Sequence, residues 1–402
     1  MSIKASIVIG LGFGDEGKGL TTDYLCSQSL HPLVIRFNGG QQAGHTVCAA
    51  NGLRHVFSSF GAGTLRGAAT YWSAWCTLSP SALLNEYRAL TSSGIYPQLY
   101  LDESCPVTTH YDVLYNRLLE QQRGSARHGS CGMGFGNTLQ RQEAKVTFVA
   151  GDLIYAERCM EKLKQIRIYY ALKARTELNI DFTELEHDQE DQRFMAYLAE
   201  MQTIINHHIF ITSEKAVFAD PQWDQYIFEG AQGVLLDMDF GCFPHVTRSH
   251  TTSKNALHLI RRNKTNISSA TLYGVSRVYH TRHGQGPFVA HADHLVLKNN
   301  EMETNVLNDF QGNFRTGPLD LDQLNYALKS ELSLNHGMEK QLVLTCADQV
   351  DEDSLPYTVT GKLHTGSLKD IPALLNTSFN KILISRSPCA ENLQTAGFKT
   401  AI

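Results

Sequence analysis

The sequence predicts an α/β fold of the open-sheet kind, and three features carry that expectation. Strand-like apolar runs recur at Ile7–Ile9, Leu33–Phe37, Tyr226–Phe228, Gln341–Thr345 and Lys381–Ile384. Each ends in glycine or polar residues, the pattern of sheets whose ligands gather beyond the strand C-termini. Between residues 110 and 210 the pattern turns helical, as an insertion would. After a charged start at Phe182, residues Phe194, Met195, Tyr197, Leu198, Met201, Ile204 and Ile205 fall at helical spacing, a core face. No internal repeat, low-complexity segment or clear linker divides the chain. At 402 residues and 42% apolar it can bury a large core. One α/β unit with insertions is as plausible as two domains.

The first strand opens into the most informative loop. Ile7 to Leu20 reads IVIGLGFGDEGKGL, with glycines at Gly10, Gly12, Gly14, Gly17 and Gly19. Gly12 to Lys18 has the spacing of a phosphate-cradling loop, in which backbone N–H groups face a polyphosphate and the lysine adds charge. Gly19 stands where an ordinary P-loop has the Ser or Thr that holds Mg²⁺, and Asp15 lies inside the loop, followed by Glu16. A carboxylate beside phosphates is costly unless it binds the metal or takes a proton, so Asp15 is the first catalytic candidate. A tight strand-to-helix turn with a solvated Asp-Glu pair would look the same in isolation.

Two further segments argue against that plainer reading. After the second strand, RFNGGQQAGHTV places Gly39, Gly40, Gly44 and His45 on a loop. A histidine in such a loop is suited to donate to a transferring phosphoryl group. YIFEGAQGVLLDMDFGCFPHVT again runs strand into glycine loop, with Gln232 at its turn and Thr247 at its end. Jointly GDEGKG, NGG-x-x-AGHT and FEGAQG-x-LLD-x-D-x-G-x-x-P-x-VT, with TRHGQGPF at 281–288 and RTGPLD at 315–320, strongly resemble the adenylosuccinate synthetase family. The matches lie across roughly the whole chain. The resemblance implies one domain over 1–402, a P-loop-like fold around a large, mostly parallel central sheet with surrounding helices, assembled as a homodimer.

Composition adds bounds. Formal charge is −5, with no basic run suited to nucleic acid or a membrane surface and no apolar stretch of membrane-spanning length. MSIKASIVIG enters the first strand directly, so no signal peptide is expected. Nine cysteines at irregular spacings, with no C-x-x-C pair, fit reduced thiols, and the cytoplasm is the expected compartment.

The resemblance also implies a chemistry. In this family GTP phosphorylates the 6-oxygen of inosine monophosphate, and the amine of L-aspartate then displaces phosphate to give adenylosuccinate. Asp15 matches the base that takes the purine N1 proton and also a metal ligand. His45 matches the donor to the phosphoryl group in flight, Lys18 the cation at the β/γ bridge and Gln232 the contact to the purine 6-position. The Gly44 carbonyl would complete the shell of Mg²⁺, which prefers hard oxygens. Nucleotide binding falls by the same resemblance on Gly12, Gly14, Asp15, Glu16, Gly17, Lys18, Gly19, Gly44, His45, Thr46, Asp348 and Ser385. Substrate binding falls on Gln42, Ser130, Cys131, Gln232, Thr247 and Arg315.

Departures from the family fall on recognition. LVLTCADQVD keeps Asp348, whose carboxylate suits guanine, but puts Cys346 where the family has a stacking lysine, which opens ATP as the donor. GSCGMGFGN has Met133 in place of an arginine, and Arg141 or Lys145 is a candidate to restore the charge. Of the family's arginine run for the amino acid, NDFQGNFRTGPLD keeps only Arg315, while Asp309 would repel a dicarboxylate and the amides at Gln311-Gly312 are polar substitutes. Arg248, Arg277, Arg282 and His283 are the alternative carboxylate partners. A specialised ligase acting on another 6-oxopurine nucleotide such as GMP or dGMP, or on another amino acid, is therefore the second reading. A non-catalytic nucleotide-binding relative is the third, disfavoured by the joint presence of Asp15, Lys18, His45 and Gln232. His291, Asp293 and His294 look like metal ligands by type, yet an exposed polar loop is the simpler reading.

Overall fold

All five apolar runs form strands, because each is flanked by glycine or polar breakers and none is long enough for a helix of its own. A computed structural model describes residues 3–124, 127–182, 187–263, 267–298, 303, 312–335 and 337–398. Its main sheet has ten strands: β1 (Ile3–Gly10), β2 (Pro32–Arg36), β3 (Ala69–Trp72), β4 (Leu99–Asp102), β5 (Ile209–Thr212), β6 (Gln225–Gly233), β7 (Ile267–Arg277), β8 (Glu339–Thr345), β9 (Lys381–Ser385) and β10 (Leu393–Thr395). They lie in the order β10-β9-β8-β7-β1-β6-β2-β3-β4-β5. Every neighbouring pair is parallel except β9 with β10. The expectation of a large, mostly parallel sheet holds.

β1 sits between β7 and β6 near the centre, and Ile7, Val8 and Ile9 are all fully buried. That is why its sequence is continuously apolar rather than alternating: helices and loops cover both faces of the parallel sheet. The C-terminal ends of β1, β6, β7 and β8 therefore share one edge, where Gln232 and Arg277 close their strands and the turns carrying Asp15 and Cys346 emerge.

Residues 110–204 supply helices His110–Arg123, Phe135–Glu143, Ala156–Lys173 and His187–Ile204 beyond the β5 edge. Phe194, Leu198 and Met201 are buried in the same apolar cluster as Leu99 and Tyr170, as the stripe predicts. Asp112 and Arg141 form a fully buried ion pair at 2.9 Å inside this layer. Tyr170 Oη and the Thr109 amide and hydroxyl also donate to Asp112, and Arg141 reaches the carbonyls of Val107 and Val146. Removing either partner strands a buried charge, at a cost of about 3–5 kcal/mol.

Glu331, buried on helix Leu321–Leu332, accepts hydrogen bonds from the Ser253 amide (2.8 Å), Ser253 Oγ (2.6 Å) and Asn335 Nδ2 (3.2 Å). Burial pushes its carboxyl up to about 7 despite the Ser253 hydrogen bonds. A folded-state value above the unfolded one means that the stability from this group is full below the ordinary carboxyl range and is lost as pH rises through 7. Glu331→Gln cannot ionise, so its melting temperature should fall less between pH 5 and pH 8. At pH 8 it should exceed the wild-type stability by up to roughly 3 kcal/mol. Parallel thermal melts across that range check this, and equal pH slopes for the two proteins would contradict it.

Candidate active site

The loop after β1 is organised by its own acid. Glu16 folds back so that Oε1 accepts from the amides of Gly12 (3.0 Å) and Gly14 (2.7 Å), while Lys18 Nζ sits 2.7 Å from Oε2. A Cβ on Gly10 would lie 2.2 Å from Glu16 Oε2, so the backbone there has to be glycine. Gly12 and Glu16 consequently stand behind the cavity wall, which corrects their assignment as direct nucleotide contacts. The two amides face a built-in carboxylate, and Gly14, Asp15, Gly17, Lys18 and Gly19 line the cavity itself.

Asp15 adopts a left-handed backbone, with φ of 64°. This conformation is uncommon for a residue with a side chain and is characteristically retained at functional loops. It is held at both ends: Arg277 Nε donates to its carbonyl at 2.6 Å, and His283 Nε2 lies 3.3 Å from Oδ2. Burial pushes the Asp15 carboxyl upward, but the His283 hydrogen bond and the charges of His283, Arg277 and Lys18 outweigh it and leave the group below its ordinary value. Asp15 is thus a carboxylate at neutral pH.

His45 begins the strand His45–Cys48, which pairs with Arg54–Phe57. Its Nδ1 is 2.8 Å from Glu229 Oε1, and its buried Nε2 has no hydrogen-bond partner among the described residues. Glu229 is fully buried in β6, 3.6 Å from the Arg36 guanidinium, and accepts from the Ala62 amide. Burial pulls the imidazole below its ordinary value, Glu229 draws it back and Arg36 and Lys18 push it down again, so the neutral ring prevails. With Nδ1–H donated to Glu229, Nε2 is the atom left for a ligand.

These groups converge on one cavity of about 1130 Å³. Its wall contains fifteen of the residues singled out in the sequence: Gly14, Asp15, Gly17, Lys18, Gly19, Gln42, Gly44, His45, Thr46, Ser130, Cys131, Gln232, Thr247, Asp348 and Ser385. Gln232 has the same left-handed φ of 64° as Asp15. Ser130 Oγ donates to Asn116 Oδ1 and accepts from the Gly132 amide. Asp348 is exposed, with one oxygen accepting from Gln349 Nε2 at 2.7 Å, and Cys346 enters the turn at φ 59°. For a cation, Asp15 and Gly44 bring hard oxygens to the same wall.

Three expectations change. Arg315 does not line the cavity: its guanidinium donates to the carbonyls of Gly284 (2.5 Å) and Gly286 (3.2 Å) and stacks on Phe288, so it braces the 284–286 loop from behind. Arg141 is engaged by Asp112 and two carbonyls and cannot restore charge at a phosphate. Of the alternative clamps, Arg277, Arg282 and His283 line the cavity but are tied, respectively, to Asp15 and Glu303, to the Pro287 carbonyl, and to Asp15. Arg248 also lines it and, among the described residues, pairs with surface Glu143, a contact worth about 0–1 kcal/mol. Asp309 and Gln311 lie outside the described residues. Ala292–His294 forms a short exposed turn, in keeping with the polar-loop reading.

Sequence reasoning missed Glu229 and the true partner of His283. An acid inside the otherwise apolar YIFEG strand was the available signal, since a buried carboxylate needs a cation or donors beside it. Nothing in HGQGPF points back to Asp15; that contact exists only because the His280–His283 strand folds over the first loop.

Known proteins resemble this chain in sequence and in fold. The sequence model of one family, Adenylosuccinate synthetase, matches residues 7–381. An adenylosuccinate synthetase of Mannheimia succiniciproducens is 32% identical over 71% of this chain and 64% of its own length. One from Photobacterium profundum is 31% identical over 73% of this chain and 68% of its own. The aligned part thus spans somewhat less than two thirds of the first relative. Among solved structures, fully ligated adenylosuccinate synthetase from Plasmodium falciparum superposes with a TM-score of 0.76 at 19% identity, covering 97% of this chain and 99% of that one. Cyanophage S-2L succinoaminodeoxyadenylate synthetase, bound to dGMP and to dATP as an energy donor, gives 0.64 at 14% identity, covering 98% and 96%. At such identities the shared property is the fold. The family match over most of the sequence goes further: the chain belongs to the adenylosuccinate synthetase family.

Proposed function

We propose that this chain is a purine nucleotide ligase that activates a 6-oxopurine nucleotide, IMP in the leading reading, by phosphorylating its 6-oxygen and then joins it to the amine of L-aspartate. One observation carries the reading. A carboxylate held by a histidine (Asp15–His283) and an imidazole held by a carboxylate (His45–Glu229) line the same cavity as Lys18 and Gln232.

In this reading Asp15 takes the N1 proton, and the 6-oxygen, made nucleophilic, attacks the γ-phosphorus as the bond to the β–γ bridging oxygen breaks. Lys18 stabilises the departing diphosphate. The phosphoryl anion beside His45 favours the imidazolium, whose Nε2–H then stabilises charge on the group in transfer. The amine attacks C6 and phosphate leaves. Asp15 and the Gly44 carbonyl suit Mg²⁺, which when bound neutralises charge on the β- and γ-phosphates. Gln42, Ser130, Cys131 and Thr247 would bind the acceptor nucleotide, and Arg248 is the carboxylate partner most readily released to the amine donor. A cytoplasmic homodimer accompanies this reading.

Asp348 supports GTP as the donor. A second reading, with an adenine nucleotide as donor, is favoured by the Gln349–Asp348 bond. That bond already engages one carboxylate oxygen and leaves the Gln349 side-chain oxygen buried without a partner, beside Cys346 rather than a lysine. The same activation could serve GMP or dGMP, or another amino acid.

Phosphate release measured across GTP and ATP, IMP, GMP and dGMP, and a set of amino acids, with product masses, tests the proposal. GTP, IMP and aspartate should give adenylosuccinate, and Asp348→Asn should weaken GTP use by about 1–3 kcal/mol. Equal use of ATP, unaffected by Asp348→Asn, would transfer the assignment to adenine, and no product from any combination would favour a non-catalytic relative. Asp15→Asn should bind nucleotides almost normally yet lose about 10²–10⁴ in turnover, and His45→Asn should lower turnover more than affinity. Wild-type turnover in Asp15→Asn would remove it as the base.

A further inference from the structure

We infer that His283 is a positioning residue that fixes the carboxylate of Asp15 for proton abstraction; the inference rests on the reading of Asp15 as the base. His283 ends the strand His280–His283, antiparallel to Phe314–Gly317. Its cross-strand partner is Phe314, and the two rings pack with centroids 4.8 Å apart. That packing orients the imidazole so that Nε2 lies 3.3 Å from Asp15 Oδ2. Six residues earlier on the same stretch of chain, Arg277 grips the Asp15 carbonyl at 2.6 Å and is itself anchored by Glu303 (2.7 Å) and Tyr279 Oη (3.0 Å). One segment, 277–283, therefore holds Asp15 by both its main chain and its side chain.

The chemistry explains why two holds are useful. A carboxylate rotates, and a base acting on a ring N–H has to present one lone pair along that bond. An N–H donor on Oδ2 stops the rotation and leaves the second oxygen for the substrate. Misplacing a reacting group by about 1 Å costs on the order of 10²-fold in rate, so the hold on Asp15 acts through orientation. A purely structural contact would instead show itself in stability or in nucleotide binding.

The test compares His283→Phe, which keeps ring packing on Phe314 but has no N–H, with His283→Gln, which keeps a donor. His283→Phe is expected to lower kcat roughly 10- to 100-fold with both nucleotide KM values within about 3-fold of wild type and an unchanged melting temperature. His283→Gln should recover much of the loss. Wild-type kcat in His283→Phe, or equal impairment of the two variants, overturns the inference. Asp15→Asn is assayed alongside. If it is inactive while His283→Phe is normal, only the positioning role fails; if it is active, the reading of Asp15 as base fails and the inference with it. Should His283→Phe not fold, His283→Ala supplemented with imidazole takes its place: restored kcat supports the donor role and no restoration overturns it.

Discussion

The geometry of this site depends on a carboxylate folded into its own loop. Glu16 lies where β1 ends, gathers the amides of Gly12 and Gly14 and the Lys18 ammonium, and touches backbone that only glycine can supply at Gly10 and Gly233. A buried, unpaired carboxylate would cost several kcal/mol; three donors turn it into an anchor instead. The anchor fixes the turn in which Asp15 takes its left-handed conformation, and it holds Lys18 at the first turn of its helix. Every functional reading of the cavity inherits that geometry.

Around this anchor two acid–histidine pairs face the cavity in opposite senses. At Asp15 the carboxylate is the group held and His283 lines the cavity beside it; at His45 the imidazole is the group held and Glu229 stands behind it, off the cavity wall. In the proposed reaction the two pairs would answer the two needs of phosphorylating an oxo group, removal of a proton and stabilisation of charge in transfer. Their supports come from different strands, β7 and the separate His280–His283 strand for Asp15 and β6 with β2 for His45.

Much of this was legible in sequence because the signals are local. Glycine spacing and apolar strand runs are read within ten or so residues, which is why the five strands, the helical stretch and the first phosphate-type loop could be named from the residues, while the resemblance to a family supplied most of the other cavity residues. The failures are contacts between distant segments. Arg315 is a substrate contact by the resemblance to the family, yet its side chain is turned onto the carbonyls of Gly284 and Gly286. Arg141 is a candidate, with Lys145, to restore the charge of a missing arginine, while Asp112, nearly thirty residues earlier, captures it. Glu16 is expected among the nucleotide contacts with Asp15, and only the fold shows that it turns back onto the Gly12 and Gly14 amides and Lys18 instead. Recognition of the base, the phosphate and the amine is built from such long-range placements, so the activation machinery was the more readable half.

The central claim is that the 6-oxygen of the acceptor nucleotide is phosphorylated and leaves as phosphate. It is tested most directly by supplying the acceptor labelled with ¹⁸O at the purine 6-position, with the nucleoside triphosphate and amine donor, and weighing the phosphate released. The account predicts one ¹⁸O atom in that phosphate for every ligated product. Phosphate free of label would show that water, rather than the purine oxygen, accepts the phosphoryl group, and would contradict the account.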